Sequence, residues 1–266
     1  MATNELAAVF KRETRAEQRL AAFQDIASVL AILGSALICW EIIVRVRHVP
    51  VYMMPAPTVI VLELFNKIVY YLRASFVTLA EALGGLLLGL LVGITTAIAI
   101  TFWRQLERGM LMLAILIKTT PMVAITPLLI IWFGFGPLPK VIVTGLITFF
   151  PVLVNFHSGL HAVDAATLAL FHSLNANRRE LFRYARWPSA LPYLFDALKV
   201  VAPLSLVGAV VAEWAGASVG LGRAMWLAYT NLNMPSLFAA VFCSALMGIG
   251  LYLVVIGLEK RVVYWK

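Results

Sequence analysis

The stretch Ser173-Leu174-Asn175-Ala176-Asn177-Arg178-Arg179-Glu180-Leu181-Phe182-Arg183-Tyr184-Ala185-Arg186-Trp187-Pro188-Ser189-Ala190-Leu191-Pro192 is a polar interruption in a greasy chain. With His157, Asp164, His172 and Asp196 it fills the interval between an apolar run ending near Phe156 and another beginning near Val200. The chain has 266 residues, 62% hydrophobic and 13% charged. A soluble domain carries about 25% charged and about 45–50% apolar residues. The surplus of apolar residues predicts a surface that faces lipid, and a long basic loop between two spans then presents a surface to the cytoplasm.

Working outward, runs of about 20 mostly apolar residues mark candidate bilayer crossings. They are Ile26–Val44, Ala82–Phe102, Gly109–Phe133, Leu138–Phe156, Ala190–Ala212 and Met234–Leu258. The expectation is an all-α membrane protein of six transmembrane helices. A charged segment over 1–25 precedes it, a single transmembrane domain covers 26–259, its cytoplasmic loop covers about 157–196, and a tail covers 260–266. The fifth run holds Asp196 and Lys199, which must then lie near an interface. The first 25 residues mix Glu5, Glu13, Glu17 and Asp25 with Lys11, Arg12, Arg15 and Arg19, unlike a cleavable signal peptide. With both termini cytoplasmic, the inside segments hold most of the basic residues. Arg45, Arg47, Lys67, Arg73, Lys140 and Arg223 are left outside, so N-in and C-in is the favoured orientation. After the first span, Met54-Pro55-Ala56-Pro57 reads as a turn, and Thr58–Leu72 as an amphipathic helix at the outer interface.

Three features inside the spans point to packing or transport. Gly85, Gly89 and Gly93 recur every four residues and share a helix face, where small residues allow close approach of another helix, in this subunit or in a partner. In the third run, Pro121 and Pro127 remove helix hydrogen bonds and bend the span. Lys118, Thr119 and Thr120 beside that bend are candidate translocation-path residues, since an ionisable group at membrane depth marks function by default. The other reading of Lys118 is a side chain snorkelling to the interface. Cys39 and Cys243 sit in apolar runs without metal-ligand spacing and are expected as buried small hydrophobes. His157 and His161 with Asp164 have the only metal-like spacing, but a solvated helix end explains them better. There is no Gly-Lys pair for a phosphate-cradling loop and no Gly-x-Ser-x-Gly elbow, so enzymatic chemistry is not expected of this chain.

The ordered motifs resemble a known family. Its cytoplasmic signature runs Glu-Ala-Ala, three residues, Gly, nine residues, then Ile-x-Leu-Pro. Here Ser173-Leu174-Asn175-Ala176 and Trp187-Pro188-Ser189-Ala190-Leu191-Pro192 keep that frame. Ala169, Leu170 and Phe171 stand where Glu-Ala-Ala is expected, and Asn175 replaces the glycine, a residue that also tolerates the left-handed backbone. Met54-Pro55-Ala56-Pro57-Thr58-Val59, Pro121–Gly136, Phe149-Phe150-Pro151 with Asn155, and Val210–Gly222 supply further matches. The chain is similar to the membrane permease subunit of bacterial ABC importers, in the branch for nitrate, taurine, sulfonates and the pyrimidine precursor of thiamine. The Glu-Trp-x-Gly-Ala-Ser-x-Gly-Leu-Gly variant is nearest to pyrimidine-precursor or riboflavin importers.

That resemblance implies a type I importer permease fold in the bacterial inner membrane, paired with a second permease subunit. It implies a cytoplasmic ATPase dimer that binds ATP and Mg, an extracytoplasmic substrate-binding protein, and no cofactor in this chain. A short helix around Thr167–Asn177 would sit in a groove of the ATPase. Ala169, Leu170, Phe171, Ser173, Leu174, Asn175, Ala176, Arg178, Arg179, Trp187 and Pro188 form that coupling loop. Lys118, Thr119, Thr120, Pro121, Glu213 and Ser218 are the path candidates, with pairing to Arg223 as the other role for Glu213. An ATP-independent secondary transporter or a membrane anchor are the alternatives. Inverted repeats would favour the transporter, and none is visible between the first and last three spans.

Overall fold

The computed structural model describes residues 27, 28 and 31–264, and all regular structure among them is helical. The expected N-terminal segment 1–25, the residues at the start of the first span and the final Lys266 lie outside the described residues. Two compact units divide at Leu62 and Glu63.

In the first unit, helix α1 covers 31–46. Glu41 on it accepts from Arg45 Nε at 2.5 Å, from Thr58 N at 3.0 Å and from Thr58 Oγ1 at 2.8 Å. The charge that interrupts this apolar run is thereby paired locally. Cys39 is exposed on this helix and Cys243 only partly buried, so the expectation of two buried cysteines fails. In a chain bathed by lipid, an apolar residue needs no burial inside protein.

The second unit carries the four helices that, among the described residues, are long and apolar enough to cross a membrane. Helix α2 (Pro57–Asn66), which runs into it from the first, starts on the last proline of the expected turn. It ends before Lys67, and α3 (Ile68–Phe102) begins at once. The amphipathic helix expected over Thr58–Leu72 is therefore shorter, and the second span is longer than Ala82–Phe102. Its 35 residues extend about 52 Å. No proline or glycine interrupts 68–83, and Arg73 and Glu81 break an apolar count without breaking a helix.

Helices α4 (Arg104–Thr119) and α5 (Met122–Phe133) take the place of one bent third span. They meet at 93°. Thr120, forced extended by the proline that follows it (ψ 130), makes the corner. Helix α6 (Leu138–Leu160) is the fourth span. Helix α7 (Ala165–Ser173) is short and has no buried residue. Then α8 (Arg178–Leu181), a π-helical turn over Phe182–Arg186 and α9 (Trp187–Trp214) run on as one helical path. Pro188 has no N–H to give to Tyr184, and Trp187 N donates to Phe182 O across the wider turn. About half of the stretch expected as loop is thus the start of the fifth span. Within it Lys199 Nζ bridges Asp196 at 2.8 Å and Glu259 at 2.9 Å, so these charges are paired. The chain closes with α10 (Leu221–Thr230) and α11 (Met234–Val262).

Among the described residues four helices are long and apolar enough to cross a membrane, and five if the bent pair is one span. The core lies where α3, α6 and α9 meet, with Ile100, Val152, Leu153, Phe156, Leu160, Ala190 and Val201 almost fully enclosed. The glycine stripe of α3 makes this packing possible. A Cβ on Gly85 would overlap Thr144, one on Gly89 would overlap Thr148, and one on Gly93 would come within 2.8 Å of Val152 Cγ1. All three glycines therefore face α6 of the same chain. Leu83, Leu87 and Leu91 are exposed, as expected from a helix face about 200° away.

Candidate functional site

The segment from Asp164 to Trp187 is held rigid by local hydrogen bonds. Asp164 Oδ1 accepts from Thr167 N at 2.6 Å and caps α7. The Thr167 hydroxyl and amide hold this carboxyl below the usual carboxylate range. At the other end Asn175 adopts φ 50. Asn175 N donates to His172 O and Ala176 N to Phe171 O, each at 3.0 Å. This is a Schellman ending with Asn in the place usually taken by Gly. Asn177 then opens α8 with a capping box. Its Oδ1 accepts from Arg179 N and Glu180 N, and Glu180 Oε2 accepts from Asn177 N at 2.7 Å. The Asn-x-x-Glu spacing was legible in the sequence and was missed.

These caps hold α7 outside the protein's own core. Leu170 is 55% exposed and Leu174 68%; Ala169, Ser173 and Arg179 are exposed, and Phe171 and Ala176 are partly buried. Trp187 behaves differently: its ring packs on Phe156 and Phe182 at 5.5 and 6.0 Å between centroids. With buried Ala185 and partly buried Pro188 it anchors the segment to the spans. His157 is not solvated as expected. Its Nε2 lies 3.2 Å from Glu107 Oε1, and its ring sits tilted against that of His161, 4.5 Å between centroids. No group of three metal-ligating side chains occurs among the described residues.

The expected path residues separate into two places. Lys118, Thr119, Thr120 and Pro121 occupy the α4–α5 corner. Lys118 is exposed, with Nζ 4.6 Å from the Phe150 ring centroid. The Thr119 and Thr120 hydroxyls donate to Leu116 O, which also accepts from Thr120 N at 3.1 Å, so the polar groups at the corner are bonded within the last turn of α4. Ser218 is exposed on the loop after α9, beside Arg73 and Arg223.

Glu213 lines no open path. It is 0% exposed and forms no ion pair with Arg223 among the described residues. Its Oε1 accepts from Thr78 Oγ1 at 2.7 Å, and its Oε2 accepts from Gly222 N. Leu221 N donates in turn to Thr78 Oγ1 at 2.8 Å. A Cβ on Gly220, which has φ 134, would overlap the Glu213 carboxyl, and one on Gly222 would overlap Val210 O. The Gly220-Leu221-Gly222 motif is thus the wall that closes over Glu213. Next to it Glu81 binds Lys140 Nζ at 2.8 Å, both side chains almost fully enclosed. The Glu81–Lys140 pair thus ties α3 to α6, and Glu213 with Thr78 ties α9 and the start of α10 to α3. Sequence reading counted Lys140 among the outside basic residues and passed over Glu81, although a charge abutting an apolar window is the available signal.

Residues 85–264 match the family described as "Binding-protein-dependent transport system inner membrane component". A probable ABC transporter permease protein of Haemophilus influenzae is 32% identical over 88% of this chain and 96% of that protein. A formylaminopyrimidine transport permease protein of Halalkalibacterium halodurans is 33% identical over 86% of this chain and 92% of that one. In structure, a chain of the MetNI methionine ABC transporter superposes with TM-score 0.63 at 15% identity, covering 75% of this chain and 97% of that chain. These agree with the five ordered motifs and set aside the ATP-independent alternatives. The chain is a multi-pass membrane protein and belongs to the family of binding-protein-dependent transport system inner membrane components, the permease subunits of ABC importers.

Proposed function

We propose that this permease spans the bacterial inner membrane six times, with α1 as the first span, the α4–α5 pair as the third and both termini cytoplasmic. Two permease subunits form the pathway. A cytoplasmic ATPase dimer binds ATP and Mg and receives α7 from each, and an extracytoplasmic binding protein delivers substrate. The observation that carries this reading is the α7 segment. It exposes Leu170 and Leu174 on a helix with no buried residue, while caps at both ends keep it stiff. An apolar face held rigid outside the core is suited to a partner's groove and to transmitting a rigid-body shift.

The docking face consists of Leu170, Phe171, Leu174 and Arg179, and Trp187 with Pro188 fixes it to the spans. Closure of the ATPases would move α7 and, through the continuous Arg178–Trp214 path, α9. Lys118 at the α4–α5 corner faces the pathway. The substrate is a small polar or anionic nutrient of the pyrimidine-precursor or riboflavin type, or a sulfonate, taurine or nitrate. Support for the first pair comes from the names of relatives at 33% and 31% identity, permeases for formylaminopyrimidine and riboflavin.

The test is the F171D/L174D double variant, reconstituted with its ATPase and binding protein in vesicles. ATP hydrolysis should persist while uptake is lost, and unchanged uptake would sink the assignment. Titrating the binding protein with candidate nutrients identifies the substrate.

A further inference from the structure

A cavity of about 280 Å³ lies between the end of α3 and the start of the fifth-span helical path, lined by Thr101, Phe102, Arg178, Leu181, Phe182 and Arg186. Two guanidinium groups dominate its chemistry. Neither forms an ion pair among the described residues. The acids nearest in sequence or fold are engaged elsewhere: Glu180 Oε2 accepts from Asn177 N, and Glu107 faces His157. The Thr101 hydroxyl donates to Ala97 O. The pocket therefore offers two planar cationic forks and no internal counter-charge, a combination suited to a phosphate.

Its surroundings select the kind of phosphate. Beside the arginines, Phe102, Leu181 and Phe182 form an apolar part of the lining, with the Phe102 and Phe182 rings 5.3 Å apart. Trp103 at the end of α3 and Tyr184 in the π-helical turn are each 64% exposed. Exposed aromatic rings at the ends of spans mark the headgroup level of a bilayer. Basic pockets between spans on the cytoplasmic side bind anionic headgroups. A protein partner is better served by α7, whose exposed apolar side chains belong to a different part of the segment.

We propose that Arg178 and Arg186 bind the phosphate of an anionic phospholipid at the cytoplasmic leaflet, with Phe102 and Phe182 against its glycerol and upper acyl chains. The inference rests on the proposed function only in assigning this face to the cytoplasmic side. It gives Arg178 a lipid contact in place of the ATPase contact expected from the sequence.

The test uses the full permease with its ATPase, released from vesicles of phosphatidylcholine with phosphatidylglycerol into mild detergent, and native mass spectrometry of the lipid retained. The wild type should retain phosphatidylglycerol over phosphatidylcholine by about thirtyfold, about 2 kcal/mol for two basic contacts. R178Q/R186Q should lose that preference, and R261Q, which removes a charge at the end of α11, should keep it. Equal retention of both lipids by the wild type overturns the proposal even if R178Q/R186Q does not assemble, and so does unchanged preference in an assembled R178Q/R186Q. Displacement of the lipid by inorganic phosphate overturns it in favour of a soluble anion. Weakened ATPase binding by R178Q/R186Q in pure phosphatidylcholine, with lipid preference intact, reassigns the pocket to the ATPase. F171D/L174D should retain phosphatidylglycerol like the wild type, so failure of the coupling reading and failure of this one give different results.

Discussion

Glu213 on α9 and Thr78 on α3, 135 positions apart, meet in a 2.7 Å hydrogen bond inside the helix bundle. The same two side chains receive the first amides of α10, Gly222 N on Glu213 and Leu221 N on Thr78. The start of α10 is thereby fastened to the spans without any solvent-exposed contact. Glu213→Ala would leave the buried Gly222 amide without an acceptor, while the Thr78 hydroxyl keeps Ala74 O at 3.1 Å. We expect a loss of about 1–3 kcal/mol for the unpaired amide, read as unfolding in mild detergent. Glu213→Gln, which keeps an acceptor, should lose clearly less.

The Glu81–Lys140 pair is almost fully enclosed. Lys140→Met alone leaves a buried carboxylate uncompensated and should destabilise by about 3–5 kcal/mol. The E81M/K140M double variant removes both charges at similar volume and should return to within about 1 kcal/mol of wild type. A double-mutant cycle of unfolding free energies measures the coupling. Additive losses would show that the two side chains do not act as a pair.

Gly89 lies against Thr148 and Gly145 O of α6, whereas Gly250 on α11 has nothing within 4 Å of an added Cβ. Gly89→Ala should cost about 1–3 kcal/mol by forcing the helices apart. Gly250→Ala should be neutral or slightly stabilising in the same assay, because it only raises helix propensity.

Asn175 terminates α7 with a positive φ. Asn175→Ala keeps the Cβ but removes the short polar side chain that eases the left-handed conformation, at a cost of about 1 kcal/mol, which should loosen the end of α7. Coupled uptake should fall while assembly with the ATPase is retained. Asn175→Gly should transport like wild type, and equal uptake by the Gly and Ala variants would show that the backbone conformation is immaterial.

Much of this architecture was legible because hydrophobic periodicity and proline placement act locally. The apolar runs located most of the spans, and Pro121 located the corner of the third. Asn175 was recognisable as a left-handed helix end because that preference belongs to the residue itself. Span boundaries were less legible. Charges at Glu81, Asp196 and Lys199 cut the apolar count short, yet helices continue through them when a distant partner neutralises the charge, as Lys140 and Glu259 do.

The sequence by itself determined an all-helical membrane protein with a long basic segment before its fifth span, since composition and spacing depend on near neighbours, and its ordered motifs carried the resemblance to ABC importer permeases. Only the tertiary structure decided what long-range contacts decide. The glycine stripe of α3 packs on α6 of the same chain. Trp187 belongs to the core, and Arg178 to a basic cavity with Arg186. Glu213 is a buried anchor for α10, enclosed by Gly220 and Gly222. Each of these depends on which residues meet across more than a hundred positions or at a helix crossing, and a linear pattern of hydrophobicity and charge does not encode which partner stands opposite.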